Sequence, residues 1–258
     1  MRNQRQAFSN KKRMNNAIEI LDWDSNFFGI KVCRVNGIIS DRNELSDVLK
    51  ELDKLDIDLG YYSSPLPLKG LQNISLLYNC NLVDKKITYL KRIIRDVTFN
   101  DSVTEFRGEY PDDKLFELAV ESGIYSRFNV DRKIGRNKYE ELYKQWIINS
   151  VSKKLAMKVF VYVENKTIIG LVTLGEKNAR ADIGIIAVDS HHRGRGIGKA
   201  LMLSAENWFA NQDYNYIQVV TQGENLPACR LYEICGYRID KIEYFYHFWK
   251  EGSIKSAL

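Results

Sequence analysis

No stretch of the 258-residue chain approaches the roughly 20 consecutive apolar residues that cross a bilayer, so no membrane segment is expected. The N-terminal residues carry no apolar run, and no secretory signal peptide is expected either. Only four cysteines are present, Cys33, Cys80, Cys229 and Cys235, and their spacing fits no metal site, so none is expected. Cys229 and Cys235 fall in a helical stretch as buried thiols rather than a disulfide, which places the chain in a reducing, cytoplasmic compartment. Acidic residues are missing before residue 14, where Arg2, Arg5, Lys11, Lys12 and Arg13 stand. These five account for the net charge of +5, and the rest of the chain is balanced. A neutral body argues against a nucleic-acid-binding face. Residues 1–16 read as a disordered basic leader. The remainder, in a chain 45% hydrophobic, has enough apolar residues for two small domains.

Periodicity predicts two strands, Ala17–Leu21 and Lys31–Val35, around an aromatic turn Trp23–Gly29. A helix over Asp41–Leu55, a strand near Leu59–Ser63, a helix over Gly70–Cys80 and a strand over Lys86–Ile94 follow. The polar stretch Asp96–Asp113 marks a boundary, giving domains 17–100 and 101–258. Past it come helices Asp113–Ser122 and Lys138–Lys153, then strands Lys158–Val163, Thr167–Leu174 and Ala181–Val188, the first two joined by a tight turn at Asn165-Lys166. A glycine-entered helix, a strand at Tyr216–Thr221, a helix from Asn225 and a strand over Tyr237–Trp249 complete the chain. Leu77–Lys85 resembles Ile234–Lys241, so residues 17–100 read as a partial copy of the second domain.

The most specific segment is the apolar strand Ile183–Val188 running into Arg193-Gly194-Arg195-Gly196-Ile197-Gly198-Lys199 and a helix. Glycines let a backbone approach a ligand, the first amides of a helix point outward, and arginines add forked donors. The unit is suited to a diphosphate. A Walker loop is excluded because Ala200 stands where a hydroxyl must bind magnesium and Arg193 where the first glycine must be. A dinucleotide fingerprint fails because its third glycine would be Lys199 or Leu201.

What remains is Arg-x-x-Gly-x-Gly at Arg193, Gly196 and Gly198, followed about thirty residues on by Asn225, Ala228, Tyr232 and Gly236-Tyr237. Together these resemble the GCN5-related N-acetyltransferase (GNAT) superfamily. The resemblance implies an α/β (α+β) fold, a central mixed and mostly antiparallel sheet flanked by helices, preceded here by a smaller partial GNAT-like domain. It implies acetyl-CoA or another short acyl-CoA as co-substrate. It assigns coenzyme binding to Ile186, Ala187, Val188, Arg193, Gly194, Arg195, Gly196, Ile197, Gly198, Lys199 and Asn225. It makes Tyr232 the acid that protonates the leaving thiolate, although a tyrosine on an amphipathic helix equally fits a core. No general base is assigned; Asp182, Glu176 and Glu224 read as solvated surface acids.

The segments Trp23–Gly29, Ser126-Arg127-Phe128 and Gln145-Trp146-Ile147 occur in the same order in the TDP-fucosamine acetyltransferase group of nucleotide-amino-sugar N-acyltransferases, which this chain resembles over most of its length. That group implies an N-acyltransferase acting on a TDP-linked 3- or 4-amino-deoxyhexose for surface polysaccharide, and pairing into a homodimer. Tyr125, Arg127 and Phe128 offer aromatic and cationic contacts for such an acceptor, with Phe27 and Phe28 as further candidates. The same aromatic residues fit a core. Two other readings stay open: an acetyltransferase for peptide or protein amines, and a non-catalytic acyl-CoA-binding module, which would have no need of Tyr232.

Overall fold

A computed structural model describes residues 18–71, 74–94 and 101–252. The expected leader, residues 1–16, and the expected boundary at residue 100 lie outside them. The chain divides into two compact units, one taking residues up to Lys85 and from Glu243 onward, the other Lys86–Ile242.

The first unit contains β1 (Ile18–Ile20), α1 (Asp22–Phe28), β2 (Val32–Val35), α2 (Arg42–Lys54) and β3 (Leu59–Ser64), with the start of β4 (Tyr78–Arg92) and the end of β10 (Arg238–Lys250). Its strands run in the order β1-β2-β3-β10, with β2 and β3 parallel and the other neighbours antiparallel. Leu45, Leu49 and Leu52 repeat on one face of α2 and are buried with Cys33, Val35, Tyr62 and Phe248. Asp41 caps that helix by accepting from the amides of Asn43 and Glu44.

Two expectations are corrected here. The aromatic segment after β1 is a two-turn helix, not a turn. Acidic Asp22 and Asp24 suit its first turn, the Ser25 hydroxyl donates to the Leu21 carbonyl, and Gly29 ends it at φ +70°. The helix expected over Gly70–Cys80 does not form at its C-terminal end, where Tyr78 already begins β4. The Ser75 hydroxyl accepts from the amides of Leu77 and Tyr78, and the Tyr78 phenol donates to the Ile57 carbonyl, which fixes the segment as the entry to a strand.

The second unit holds the rest of β4, then β5 (Val103–Glu105), α3 (Asp113–Ser122), α4 (Arg127–Val130), α5 (Arg136–Val151), β6 (Lys158–Glu164), β7 (Thr167–Lys177), β8 (Arg180–Val188), α6 (Ile197–Ala210), β9 (Tyr216–Gln222), α7 (Leu226–Ile234) and the start of β10. The short strand β5 lies in the stretch read from sequence as a polar boundary. The strand order is β4-β9-β8-β7-β6-β5, antiparallel throughout except for β8 and β9. This is the mixed, mostly antiparallel sheet expected. Asn165 and Lys166 both take positive φ, 49° and 65°, as a two-residue hairpin between β6 and β7 requires.

One irregularity decides what each side of the sheet carries. Val172 pairs with Ile186, but Leu174 pairs with Ile183, so Gly184 and Ile185 together face the single residue Thr173. The extra residue in β8 reverses which way the following side chains point. Ile183 is buried with Leu201, Met202 and Phe209 of α6, whereas Ile185 and Ala187 are buried with Leu115, Leu118 and Ala119 of α3. A regular strand would have put Ile183 and Ile185 on one face.

Candidate active site

The β8 bulge also opens the sheet. Parallel pairing of β8 with β9 is confined to Ala181–Ile183 and Ile217–Val219. Beyond it a cavity of about 520 Å³ is lined by Gly184–Val188 on one strand and Val220–Gln222 on the other. The Asp189 amide donates to the Ile169 carbonyl at 2.9 Å, in register with Gly170 opposite Val188. Alternation along an antiparallel ladder then turns the amides of Ile186 and Val188 away from β7, toward the opening. Thr173 makes the bulge tenable, because its hydroxyl accepts from the displaced Ile185 amide at 2.8 Å. A Cβ at residue 184 would lie 2.9 Å from that hydroxyl oxygen, so glycine there leaves room for it. Thr173→Val should strand the Ile185 amide at a cost of about 1–3 kcal/mol. Thermal unfolding should therefore begin several degrees lower, and an unchanged melting temperature would show that the hydroxyl does not hold the bulge.

The basic loop is anchored by Asp189, which accepts from Lys114 Nζ at 2.6 Å, His192 Nδ1 at 2.9 Å and the His191 amide at 3.0 Å. Lys114 first, then His192, hold its carboxyl well below the usual carboxylate range. Gly194 and Gly196 take φ +76° and +80° and leave open space where side chains would stand. Gly198 serves packing instead: a Cβ there would meet Leu231 at 3.0 Å, so its absence lets α6 and α7 approach. Gly196 precedes the 14-residue α6, whose first amides have no partner within the helix. The lining includes the cations Arg193, Lys199 and Arg230 and a single carboxylate, Glu121. An anion with a diphosphate's charge and reach fits the part of the cavity lined by this loop.

Tyr232 belongs to the same lining, although only 2% of it is exposed. Asn225, itself in the lining, caps α7 by accepting from the Ala228 amide and so fixes the helix that carries the tyrosine. The ring of Tyr89 meets it edge-on at 5.6 Å, and the Tyr89 hydroxyl is in turn held by Glu233 at 2.9 Å. Burial pushes the Tyr232 phenol well above its ordinary value, and the neighbouring Cys229 and Cys235 add to the shift. Tyr89 comes from β4, more than a hundred residues away, and no local pattern marks it.

The structure brings together in one lining Ile186, Ala187, Val188, Arg193, Gly194, Gly196, Ile197, Gly198, Lys199, Asn225, Tyr232 and Tyr125. Arg195 is not among them; its two guanidinium nitrogens grip the Glu164 carboxylate at 3.1 and 2.6 Å. Arg193 reaches the lining with its Nε on the Val188 carbonyl at 3.1 Å and its Nη2 on Glu121 at 2.7 Å. Arg127 and Phe128 are also outside the lining. The Arg127 guanidinium lies 4.4 Å over the Phe128 ring, and Phe128 is buried edge-on against Trp146. Phe27 and Phe28 belong to the first unit, where Phe27 stacks on Trp23 at 5.1 Å. Asp182, held by Gln218, and Glu176, held by Tyr214, do not line the cavity, nor does Glu224. Glu121, Tyr143 and His192 do, and none of these stands out in the sequence as a site residue; Trp146 lines it too, marked in the sequence only by the Gln145-Trp146-Ile147 resemblance.

Residues 121–237, from the end of α3 to the turn after α7, match the acetyltransferase (GNAT) family. A putative GNAT-family acetyltransferase from Novosphingobium aromaticivorans shares the fold, with a TM-score of 0.52 at 12% identity over 85% of this chain and 84% of that one. Among individual relatives, the chain is 27% identical to dTDP-fucosamine acetyltransferase of Escherichia coli over 89% of its own length and 96% of that protein's. It is 26% identical to the spore coat polysaccharide biosynthesis protein SpsD of Bacillus subtilis over 52% of its length, and spans 46% of that relative. Among the described residues, no helix is long and apolar enough to cross a membrane.

Proposed function

We propose that the chain is an acyl-CoA-dependent N-acyltransferase whose acceptor is the amine of a TDP-linked 3- or 4-amino-deoxyhexose destined for surface polysaccharide. The observation that carries the reading is one continuous cavity joining the Gly194–Gly196 turn, the opened edge of β8 and the Tyr232 phenol. Glycines at positive φ, an α-helix N-terminus and three cations suit the coenzyme's diphosphate. The outward amides of Ile186 and Val188 suit the pantetheine arm, added like a further strand.

In the reaction the neutral amine attacks the thioester carbon, forming a C–N bond as the carbonyl π electrons move to oxygen. An amide of β8 donates to that oxyanion. Collapse restores the carbonyl and breaks the C–S bond; the thiolate takes the Tyr232 proton, and the amine's surplus proton leaves to solvent. Water then restores the phenol. Two relatives bear on the acceptor: one is named for dTDP-fucosamine and the other for polysaccharide biosynthesis, and the first aligns over 89% of the chain.

The test is thiol release from acetyl-CoA against a panel of TDP- and UDP-amino sugars and lysine-bearing peptides. Release that depends on a TDP-amino sugar is expected. Release with peptides alone would make the chain a peptide acetyltransferase, and coenzyme binding without release under any condition would make it a binding module.

A further inference from the structure

The cavity has a wall, on α5, that no assigned role uses. Tyr143 and Trp146, one turn apart on α5, both line it, their rings 4.7 Å apart. Trp146 is braced on another side by Phe128, edge-on at 5.9 Å. Tyr143 is seated unusually deep. A Cβ at Gly123, the residue that ends α3, would lie 2.2 to 2.5 Å from three atoms of its ring. Gly123 has φ −95°, which any residue adopts, so its lack of a side chain serves the ring rather than the backbone. Tyr139 at 5.1 Å and Trp146 at 4.7 Å flank the same ring, and the cavity adjoins it. The one carboxylate nearby, Glu121, is engaged by Arg193. The wall is therefore aromatic and electrically balanced, a surface for the C–H face of a ring rather than for a polycation.

We infer that Trp146 is the platform on which the acceptor's pyranose ring lies, and that Gly123, by letting Tyr143 sit back, sets the room in front of it. The inference rests on the acyl-transfer reading above. The ring must enter this cavity because the amine is bonded directly to it and has to reach the thioester beside β8. A nucleotide, joined through a diphosphate at another ring carbon, lies farther out.

The experiment measures acceptor KM, kcat and coenzyme affinity for the full chain with TDP-amino sugars, nucleotide-free amino sugars and peptide amines. Gly123→Ala, by forcing the Tyr143 ring forward, should raise acceptor KM about tenfold with kcat nearly unchanged. Adding Tyr143→Leu should restore most of the loss, a rescue that mere destabilisation would not show. Trp146→Leu, which keeps the test open should the alanine variant misfold, should also raise KM about tenfold. Coenzyme affinity, read by calorimetry, and inhibition by TDP alone should not move in either variant. Turnover of a TDP-amino sugar with KM unmoved by both substitutions overturns the inference and leaves the proposed function intact. TDP inhibition weakened in parallel with KM also overturns it, by putting the base on Trp146. Turnover of nucleotide-free amino sugars alone, with a KM that depends on Trp146, supports the inference and removes TDP from the function. Turnover of peptides alone, or of nothing in the panel, overturns both.

Discussion

Tyr232→Phe should lower kcat about 100-fold while leaving coenzyme affinity and stability nearly unchanged, the low end of what a positioned proton donor contributes. The phenylalanine keeps the ring that Tyr89 meets edge-on and that packs near Tyr237, so α7 has no reason to move. The hydroxyl oxygen has no hydrogen-bond partner among the described residues, so the free protein loses no bond with it. What disappears is the proton offered to the leaving thiolate. Burial raises the phenol above its ordinary value, which makes it a weaker acid. The same exclusion of water raises a thiol, as at Cys80, where burial lifts it to about 12. Donor and acceptor are thus shifted in the same direction. The sign gives a second expectation: the phenol keeps its proton below pH 10, so kcat should show no alkaline fall from this group between pH 7 and 10. Pre-steady-state thiol release would measure both. A phenylalanine variant with full turnover would remove the phenol from the reaction.

Lys91→Met should cost about 3–5 kcal/mol of stability, because it leaves a buried charge without its partner. The Lys91 ammonium lies 2.6 Å from Glu206 Oε2, and the two side chains are 17% and 3% exposed. Glu206 stands in the second half of α6, the helix whose first turn faces the cavity, and Lys91 comes from β4. The ammonium also lies 5.5 Å from the centre of the Tyr237 ring. A methionine fills much of the space but supplies no positive charge, so the carboxylate must either stay ionised in apolar surroundings or take up a proton. At about 2–4 °C per kcal/mol the melting temperature should fall by roughly 6–20 °C. Lys91→Met with Glu206→Leu should recover most of it, since replacing the whole pair removes the charge along with its partner. A small effect of the single substitution would mean that water reaches Glu206.

Local rules made much of the second unit legible. Alternation and turn residues located β6 to β9, the Asn165-Lys166 hairpin and the helix start at Asn225, because each is governed by residues within a few positions of one another. The loop at 193–198 was legible for the same reason: positive φ, helix start and charge are written in consecutive residues. The helix at 22–28 was misread because its N-cap, Leu21, makes no side-chain hydrogen bond, and because Ser25 and Gly29 suit a turn as well as a helix. The segment 74–80 was misread because Tyr78 is fixed by a distant carbonyl at Ile57. Arg127 and Phe128 offered suitable chemistry for an acceptor, yet packing against Trp146 placed Phe128 in the core and Trp146 at the cavity.

The sequence by itself determined most element types of the second unit, though not β5 or α4, and the anion-suited loop, since backbone conformation and charge are carried by neighbouring residues. Only the tertiary structure decided that β8 bulges against Thr173, that Tyr89 holds Tyr232, that Glu164 claims Arg195, and that Gly123 makes way for Tyr143. Each of those joins residues far apart in the chain, and it is packing in three dimensions, not spacing along the sequence, that selects the partner.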